Sequence, residues 1–104
     1  MLANCAARYG TTVADRWTFL TNHGRVLLTL AEDPDARLRD IATQVGITER
    51  AAQMIVSDLE AEGYLTKQRV GRRNHYVLDK RKRFRHPHEA SHQVGELLSI
   101  FAER

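Results

Sequence analysis

The chain has 104 residues, which is enough for one domain with a modest core but not for a core and a separate substrate domain. Apolar residues make up 42% and charged residues 28%, a globular balance, and no apolar run approaches the roughly 20 residues that span a bilayer. The net charge is only +3, but residues 67–85 carry nine basic side chains against one acidic, a local balance of +8. Such a dense cluster suggests contact with a polyanion, with a solvated basic loop as the alternative.

The first third of the chain predicts an extension followed by a helix. Residues 1–20 form the extension and contain the single cysteine, Cys5, which cannot form an internal disulfide and so favours a reducing cytosol. A helix is predicted over 22–32, because apolar residues there are spaced three and four apart. The residues of its buried side are Val26, Leu27 and Leu30.

Two further helices are predicted on either side of a tight turn. One covers 39–45 and ends at Gly46, where a left-handed conformation costs glycine little. The next covers 49–62, with Thr48 capping its first amides and Gly63 ending it. The core side of this helix is expected to comprise Ile47, Ala51, Ala52, Ile55, Val56 and Leu59.

After Gly63 the apolar period changes from helical to alternating. Residues 64–70 and 74–78 predict two strands, and turn-forming residues between them predict a β-hairpin with a basic tip. A basic connector follows over 80–87. A last helix is predicted over 88–102, and its apolar side would comprise Ala90, Val94, Leu97, Leu98 and Phe101.

This order of elements is that of a winged helix-turn-helix. The chain resembles the MarR-type and ArsR-like regulators in Leu38-Arg39-Asp40-Ile41-Ala42, in Val45-Gly46-Ile47-Thr48, in Leu59-Glu60-Ala61-Glu62-Gly63-Tyr64-Leu65, and in Gly71-Arg72-Arg73 before Tyr76. The resemblance implies a mainly α fold with a small β-hairpin and with added N- and C-terminal helices. The expected parts are a winged-helix DNA-binding domain over 21–79, an N-terminal extension over 1–20, and a connector and C-terminal helix over 80–104.

The resemblance also implies that the third helix enters the major groove of DNA, while the hairpin contacts the backbone or minor groove. Arg50 can make two hydrogen bonds to guanine, and Gln53 can do the same to adenine. The candidate DNA-binding residues on this helix are Thr48, Glu49, Arg50, Gln53, Met54 and Ser57. The remaining candidates are Arg37 and Arg39 before the second helix, and Lys67, Arg69, Arg72, Arg73, Asn74 and His75 in the wing.

The terminal segments suggest association between copies of the chain. Terminal helices pair two protomers in the families that this chain resembles, so a homodimer is expected, and packing on the chain's own core is the alternative. The candidate dimerisation residues are Trp17, Phe19, Leu20, Val94, Leu97, Leu98 and Phe101. His88 and His92, four apart on the predicted last helix, are a feasible metal pair. Because the sequence places no third ligand beside them, two histidines give little support to a metal site, and no metal or other cofactor is expected.

The sequence contains no Gly-rich phosphate loop, nucleophile–base pair or spaced carboxylate pair, so an enzyme is not expected. The prediction is a cytoplasmic, nucleoid-associated transcription regulator, usually a repressor, that binds double-stranded DNA and no membrane. Whether a small effector controls it is left open. The alternative is a protein-interaction or architectural module that contacts nucleic acid without reading its sequence.

Overall fold

The computed structural model describes residues 17–102. The elements in this part are α1 (Asn22–Glu32), α2 (Leu38–Val45), α3 (Glu49–Ala61), β1 (Leu65–Val70), β2 (Arg73–Leu78) and α4 (Val94–Ala102). The predicted winged-helix order is confirmed, and all bounds except the start of the last helix lie within one residue of the predicted ones. Cys5 and most of the predicted N-terminal extension lie outside the described residues. None of the described helices has the length and apolar character needed to cross a membrane.

Local capping signals set the helix-turn-helix. The Thr21 hydroxyl accepts a hydrogen bond from the backbone N–H of Gly24 at 3.3 Å, and the Thr48 hydroxyl accepts one from Ala51 at 3.0 Å. Each threonine thus satisfies an amide that has no partner within its helix. α2 ends at Gly46, whose φ of 85° lies in the left-handed region. A glycine here allows the tight turn that brings α3 across α2.

The core lies where α1, α2, α3, the hairpin base and α4 meet. Its largest fully buried side chains are Leu30, Ile41, Val26 and Val56. α4 adds Val94 and Leu98, which are buried in the same cluster. These two residues were expected at a dimer face, but in the structure their side chains are buried in the core of their own chain. Burial of one such aliphatic side chain contributes about 1.5–3 kcal/mol.

α4 begins six residues later than predicted. Residues 86–93 form turns, although their apolar spacing continues that of the helix. The Glu96 carboxylate accepts a hydrogen bond from the backbone N–H of Gln93 at 2.9 Å, as the third residue of a helix does in a capping box. The N–H of Val94 donates to the carbonyl of Lys82 at 2.8 Å. The connector therefore ties down the chain before α4 and prevents an earlier start.

The wing is a two-stranded antiparallel hairpin. Its register pairs Leu65 with Leu78 at the base and Val70 with Arg73 next to the tip, and Gly71 makes the turn with a φ of 63°. Leu65 and Tyr76 are buried, whereas the tip is exposed. The base of the wing is thus part of the core, and its tip projects from the domain.

Candidate nucleic-acid interface

The outward face of α3 carries the six side chains predicted for it. Ala52, Ile55, Val56 and Leu59 are buried on the opposite face of the helix. The residues exposed on the outward face are Thr48, Glu49, Arg50, Gln53, Met54 and Ser57. This exposure leaves a mixed polar and apolar surface available over the first two turns of the helix, while contact of these residues with DNA stays a prediction.

The two halves of α3 differ in charge. In the first half, the side-chain amide of Gln53 donates to the hydroxyl of Ser57 at 3.1 Å, a solvent-exposed bond that can be exchanged for one with a base edge. The second half carries the acidic Asp58 and Glu60 and no basic side chain, and Asp58 lies 2.9 Å from the Nε2 atom of His23 on α1. Because carboxylates repel phosphates, the first half, where Arg50 offsets the charge of Glu49, suits a DNA groove better than the second half.

The tertiary structure divides the basic stretch of the sequence into two groups. The wing group lies on the hairpin and comprises Lys67, Arg69, Arg72 and Arg73; the connector group follows β2 and comprises Lys80, Arg81, Lys82, Arg83 and Arg85. In the connector, Arg83 donates to the carbonyl of Ser91 at 2.6 Å and Arg85 lies 3.7 Å from Glu62. Part of the +8 balance therefore serves contacts within the chain, which the sequence did not indicate.

Two residues of the wing contact the loop between α1 and α2. A guanidinium nitrogen of Arg73 donates to the backbone carbonyl of Asp35 at 2.7 Å, and Nδ1 of His75 lies 2.8 Å from the Asp35 carboxylate. The neighbouring Asn74 is half-buried, whereas Arg72 at the tip is exposed. Arg73 and His75 were predicted to contact DNA; in the structure one nitrogen of each side chain contacts Asp35.

Other basic candidates lie at the start of α2. Arg37 is the residue before the first turn of that helix and Arg39 is its second residue, and both are exposed. A helix N-terminus with adjacent cations suits a phosphate of the DNA backbone. Their contact with DNA stays a prediction.

Two tyrosines fix the base of the wing. The Tyr64 hydroxyl donates to the carbonyl of Arg83 at 2.6 Å. Burial raises the pKa of Tyr64, an effect that the nearby Arg85 partly offsets, and burial likewise raises the pKa of Tyr76. Both side chains therefore stay neutral at physiological pH. They anchor the hairpin and the connector to the core, a role that alternating hydrophobicity alone did not reveal.

The predicted metal pair is not brought together on a helix. His88 lies in the turns before α4, where its backbone N–H donates to the Nδ1 atom of His86 at 3.0 Å. His92 precedes α4, and its Nδ1 atom lies 2.8 Å from the Glu96 carboxylate. The prediction that His88 and His92 lie on one face of the last helix was wrong, because both residues precede α4. Within residues 17–102, no cluster of three histidine, cysteine or acidic side chains could hold a metal ion.

The remaining dimerisation candidates differ in exposure. Trp17 and Phe19 are highly exposed, and their rings make an edge-to-face contact with centroids 5.1 Å apart. Leu20 and Leu97 are half-buried, and Phe101 is partly exposed. Ile100 of α4 is also among the exposed large apolar side chains.

A cleft of about 790 Å³ lies beside these residues. Its apolar lining includes Leu27, Leu59 and Leu97, and two polar pairs, His23–Asp58 and Arg85–Glu62, also line it. The lining comes from α1, α3, the connector and α4. Because these residues are far apart in sequence, no local pattern could indicate the cleft.

Comparison with known proteins agrees with this architecture. Residues 20–66, which are 47 of the 104, match the family described as winged helix-turn-helix DNA-binding. Among solved structures, the chain is similar to the PcaV transcriptional regulator from Streptomyces coelicolor in complex with its natural ligand. The two share 19% identity over 97% of this chain and 83% of that chain, with a TM-score of 0.53. Comparison with curated protein sequences gives no match.

The family match and the observed fold agree on a winged helix-turn-helix. Residues 20–66, the part that matches the winged helix-turn-helix DNA-binding family, contain α1, α2 and α3, and the wing and α4 pack against them. The predicted winged-helix class is confirmed.

Proposed function

We propose that this protein is a transcription regulator that occupies promoter DNA and thereby acts as a repressor. The observation that carries the proposal is the division of α3 into a buried apolar face and an exposed face bearing Arg50 and Gln53. Base pairs present distinguishable donors and acceptors in the major groove, so a helix with these side chains can select a sequence. The fold supports a binding protein rather than an enzyme.

Five of the six residues of the exposed face have a role in this proposal. Arg50 binds guanine and Gln53 binds adenine, each through two hydrogen bonds. Thr48 and the first amides of α3 bind a phosphate. Met54 provides an apolar contact for a thymine methyl group. Glu49 accepts from cytosine or only stabilises the positive end of the helix dipole.

The wing supplies sequence-independent affinity. Lys67, Arg69 and Arg72 are exposed on the hairpin and contact phosphates or a narrow minor groove. Arg37 and Arg39 add backbone contacts at the start of α2. Neutralised phosphates release counterions, so affinity falls steeply with salt concentration. A regulator of this kind works in the cytoplasm, on the nucleoid.

We propose that the regulator is a homodimer. The exposed Trp17, Phe19 and Ile100 support this, because large apolar side chains at the two ends of a small domain favour association. Two-fold symmetry then requires a palindromic site. Sedimentation equilibrium of the full chain tests the assembly. A monomer at micromolar concentration, bound singly to its DNA, would exclude it.

The cleft favours a second role, namely binding of a small apolar ligand that alters DNA affinity. Its volume of about 790 Å³ accommodates such a molecule, and its lining joins α1 to the second half of α3. Screening small apolar compounds by thermal shift, followed by DNA titration of any hit, tests this role. Hits that stabilise the protein without changing its DNA affinity would contradict it.

The main proposal is tested by selecting duplexes from a random pool and measuring affinity by fluorescence anisotropy. The wild type is expected to prefer the selected site over a scrambled one by about 10³-fold or more. Replacing Arg50 and Gln53 together with alanine should reduce this preference by about 100-fold, because each two-bond contact contributes about 1–3 kcal/mol of discrimination. Replacing Arg81 and Gln44 instead is the matched control and should leave the preference intact. An architectural module would show no preference in the wild type.

A further inference from the structure

We propose that Asp35 is a positioning residue for DNA binding, which holds the wing against the α1–α2 loop so that Arg72 reaches the DNA backbone. The inference rests on the proposed function and goes beyond it. It assigns Arg73 and His75 to bracing the wing rather than to contacting DNA, and it places a carboxylate among the residues on which DNA affinity depends.

Three hydrogen bonds join the loop to β2. The backbone N–H of Tyr76 donates to the carbonyl of Pro34 at 2.9 Å. Arg73 donates to the carbonyl of Asp35 at 2.7 Å, and Nδ1 of His75 lies 2.8 Å from the Asp35 carboxylate. A carboxylate only accepts, so His75 carries the proton on Nδ1 in this pair. The loop therefore lies against β2 and is joined to it by one backbone–backbone bond and two bonds from side chains.

The loop is itself held firmly. The Asp33 side chain accepts from the backbone N–H of Asp35 at 3.2 Å, and the Asp33 carbonyl accepts from Ala36 at 3.1 Å. Ala36 is buried in the core. Asp35 thus projects from a turn that is anchored at both sides, which makes it a fixed point for the wing.

The hairpin needs such a support because two strands alone are marginally stable in water. Leu65 and Tyr76 anchor its base in the core, whereas Val70 near the tip is exposed. The contacts of Asp35 fall on β2 between these two regions. A wing that is already fixed loses less conformational entropy when it binds DNA than a wing that must be ordered.

The pair itself contributes little to folding. The side chains of Asp35 and His75 are 60% and 37% exposed, and exposed ion pairs contribute little to stability. A substitution at Asp35 is therefore expected to leave the fold intact while removing one of the three bonds that hold the wing, the one from His75.

The direction of the change in DNA affinity distinguishes bracing of the wing from a simple effect of the negative charge. Asp35 is a negative charge close to a basic wing, so Coulomb repulsion alone predicts that its removal strengthens DNA binding. Bracing predicts weaker binding for Asp35→Ala, which removes the acceptor. Asp35→Asn removes the charge but keeps an oxygen that can accept from His75, so its affinity should equal or exceed that of the wild type. Asp40→Ala on α2 is the control for loss of an exposed negative charge.

The test measures affinity of the full chain for a fluorescein-labelled duplex of mixed sequence at several salt concentrations. Asp35→Ala is expected to bind about three- to tenfold more weakly, because the wing must be ordered on binding. Its salt slope should fall by about 1, as one phosphate contact is lost. Binding by Asp35→Ala that equals or exceeds the wild type, as expected for Asp40→Ala, would overturn the inference. A wild type that fails to bind the duplex would overturn the proposed function together with it.

His75→Ala gives a second route that leaves the loop untouched. Bracing predicts weaker DNA binding by His75→Ala. It also predicts faster hydrogen exchange at the Tyr76 amide, because the bond from this amide to the Pro34 carbonyl would open more often. It also predicts that the losses from His75→Ala and Asp35→Ala are not additive, because they remove one contact. Weaker binding with unchanged exchange would mean that His75 contacts DNA itself, and the assignment would be wrong.

Discussion

Replacing Gly95 with alanine should destabilise the protein, although the same change within a helix ordinarily stabilises it. Gly95 is the second residue of α4, and a Cβ atom placed there would lie 2.7 Å from the carbonyl oxygen of Lys80. Since carbon–oxygen contacts are usually about 3.3–3.6 Å, α4 and the connector would have to separate by roughly half an ångström or more. The same carbonyl accepts the Gly95 N–H at 2.9 Å, and separation would stretch that bond.

The magnitude follows from two opposing effects. Overpacking costs about 1–3 kcal/mol, and the gain in helix propensity is at most about 1 kcal/mol, so the free energy of unfolding should fall by about 1–2 kcal/mol. For a domain of this size, the thermal midpoint should fall by about 5–10 °C. Thermal unfolding followed by circular dichroism measures this change directly.

Gly24→Ala is the matched control. Gly24 also lies in a helix, but a Cβ atom there would be 3.7 Å from Leu20 Cβ, an ordinary contact. Its thermal midpoint should equal or exceed that of the wild type. Its free energy of unfolding should rise by at most about 1 kcal/mol. If Gly95→Ala also raised the midpoint, α4 would not approach the connector as closely as described, and the reasoning would be refuted.

Three further predictions concern the wing, the helix cap and the core. Arg72→Ala should reduce the salt slope of DNA binding by about 1 and weaken binding to all sequences equally, measured by anisotropy titrations on two unrelated duplexes. Glu96→Gln should lower the thermal midpoint at neutral pH, because hydrogen bonds from Gln93 and His92 hold the pKa of Glu96 below its ordinary value of 4.5. This stabilisation is present above pH 4.5 and is lost as the pH falls through the lowered pKa, so the thermal midpoints of the variant and the wild type should converge in acid. A difference between the two midpoints that does not change with pH would contradict this reasoning. Leu30→Ala should cost about 2–5 kcal/mol in urea unfolding, since Leu30 is fully buried, and a smaller loss would mean that the core closes around the gap.

Local signals in the sequence were sufficient for the helix-turn-helix. Thr48 caps α3 through its own hydroxyl, and Gly46 supplies the left-handed turn before it. Both effects act within a few residues, so they can be read directly from neighbouring positions. The exposed face of α3 followed in turn, because a helix that buries Ile55 and Leu59 must expose Arg50 and Gln53.

The partners of individual side chains depended on the tertiary structure. Val94 and Leu98 form a helical apolar stripe that would suit a dimer as well as a core, and only the packing of α4 on α1 places them in the core. The start of α4 was likewise decided by the bond from Val94 to the connector at Lys82 rather than by its apolar period.

The wing shows the same division most clearly. The sequence by itself determined that residues 65–78 form a basic hairpin after a helix with an exposed polar face, because alternation, turn residues and charge are local properties. It did not determine which of the basic side chains remain available to DNA. Arg73 and His75 meet Asp35 across 38 and 40 residues of chain, and such a contact exists only once α1, α2 and the hairpin have packed together. Tertiary packing therefore decides which side chains of the wing contact the α1–α2 loop and which remain exposed.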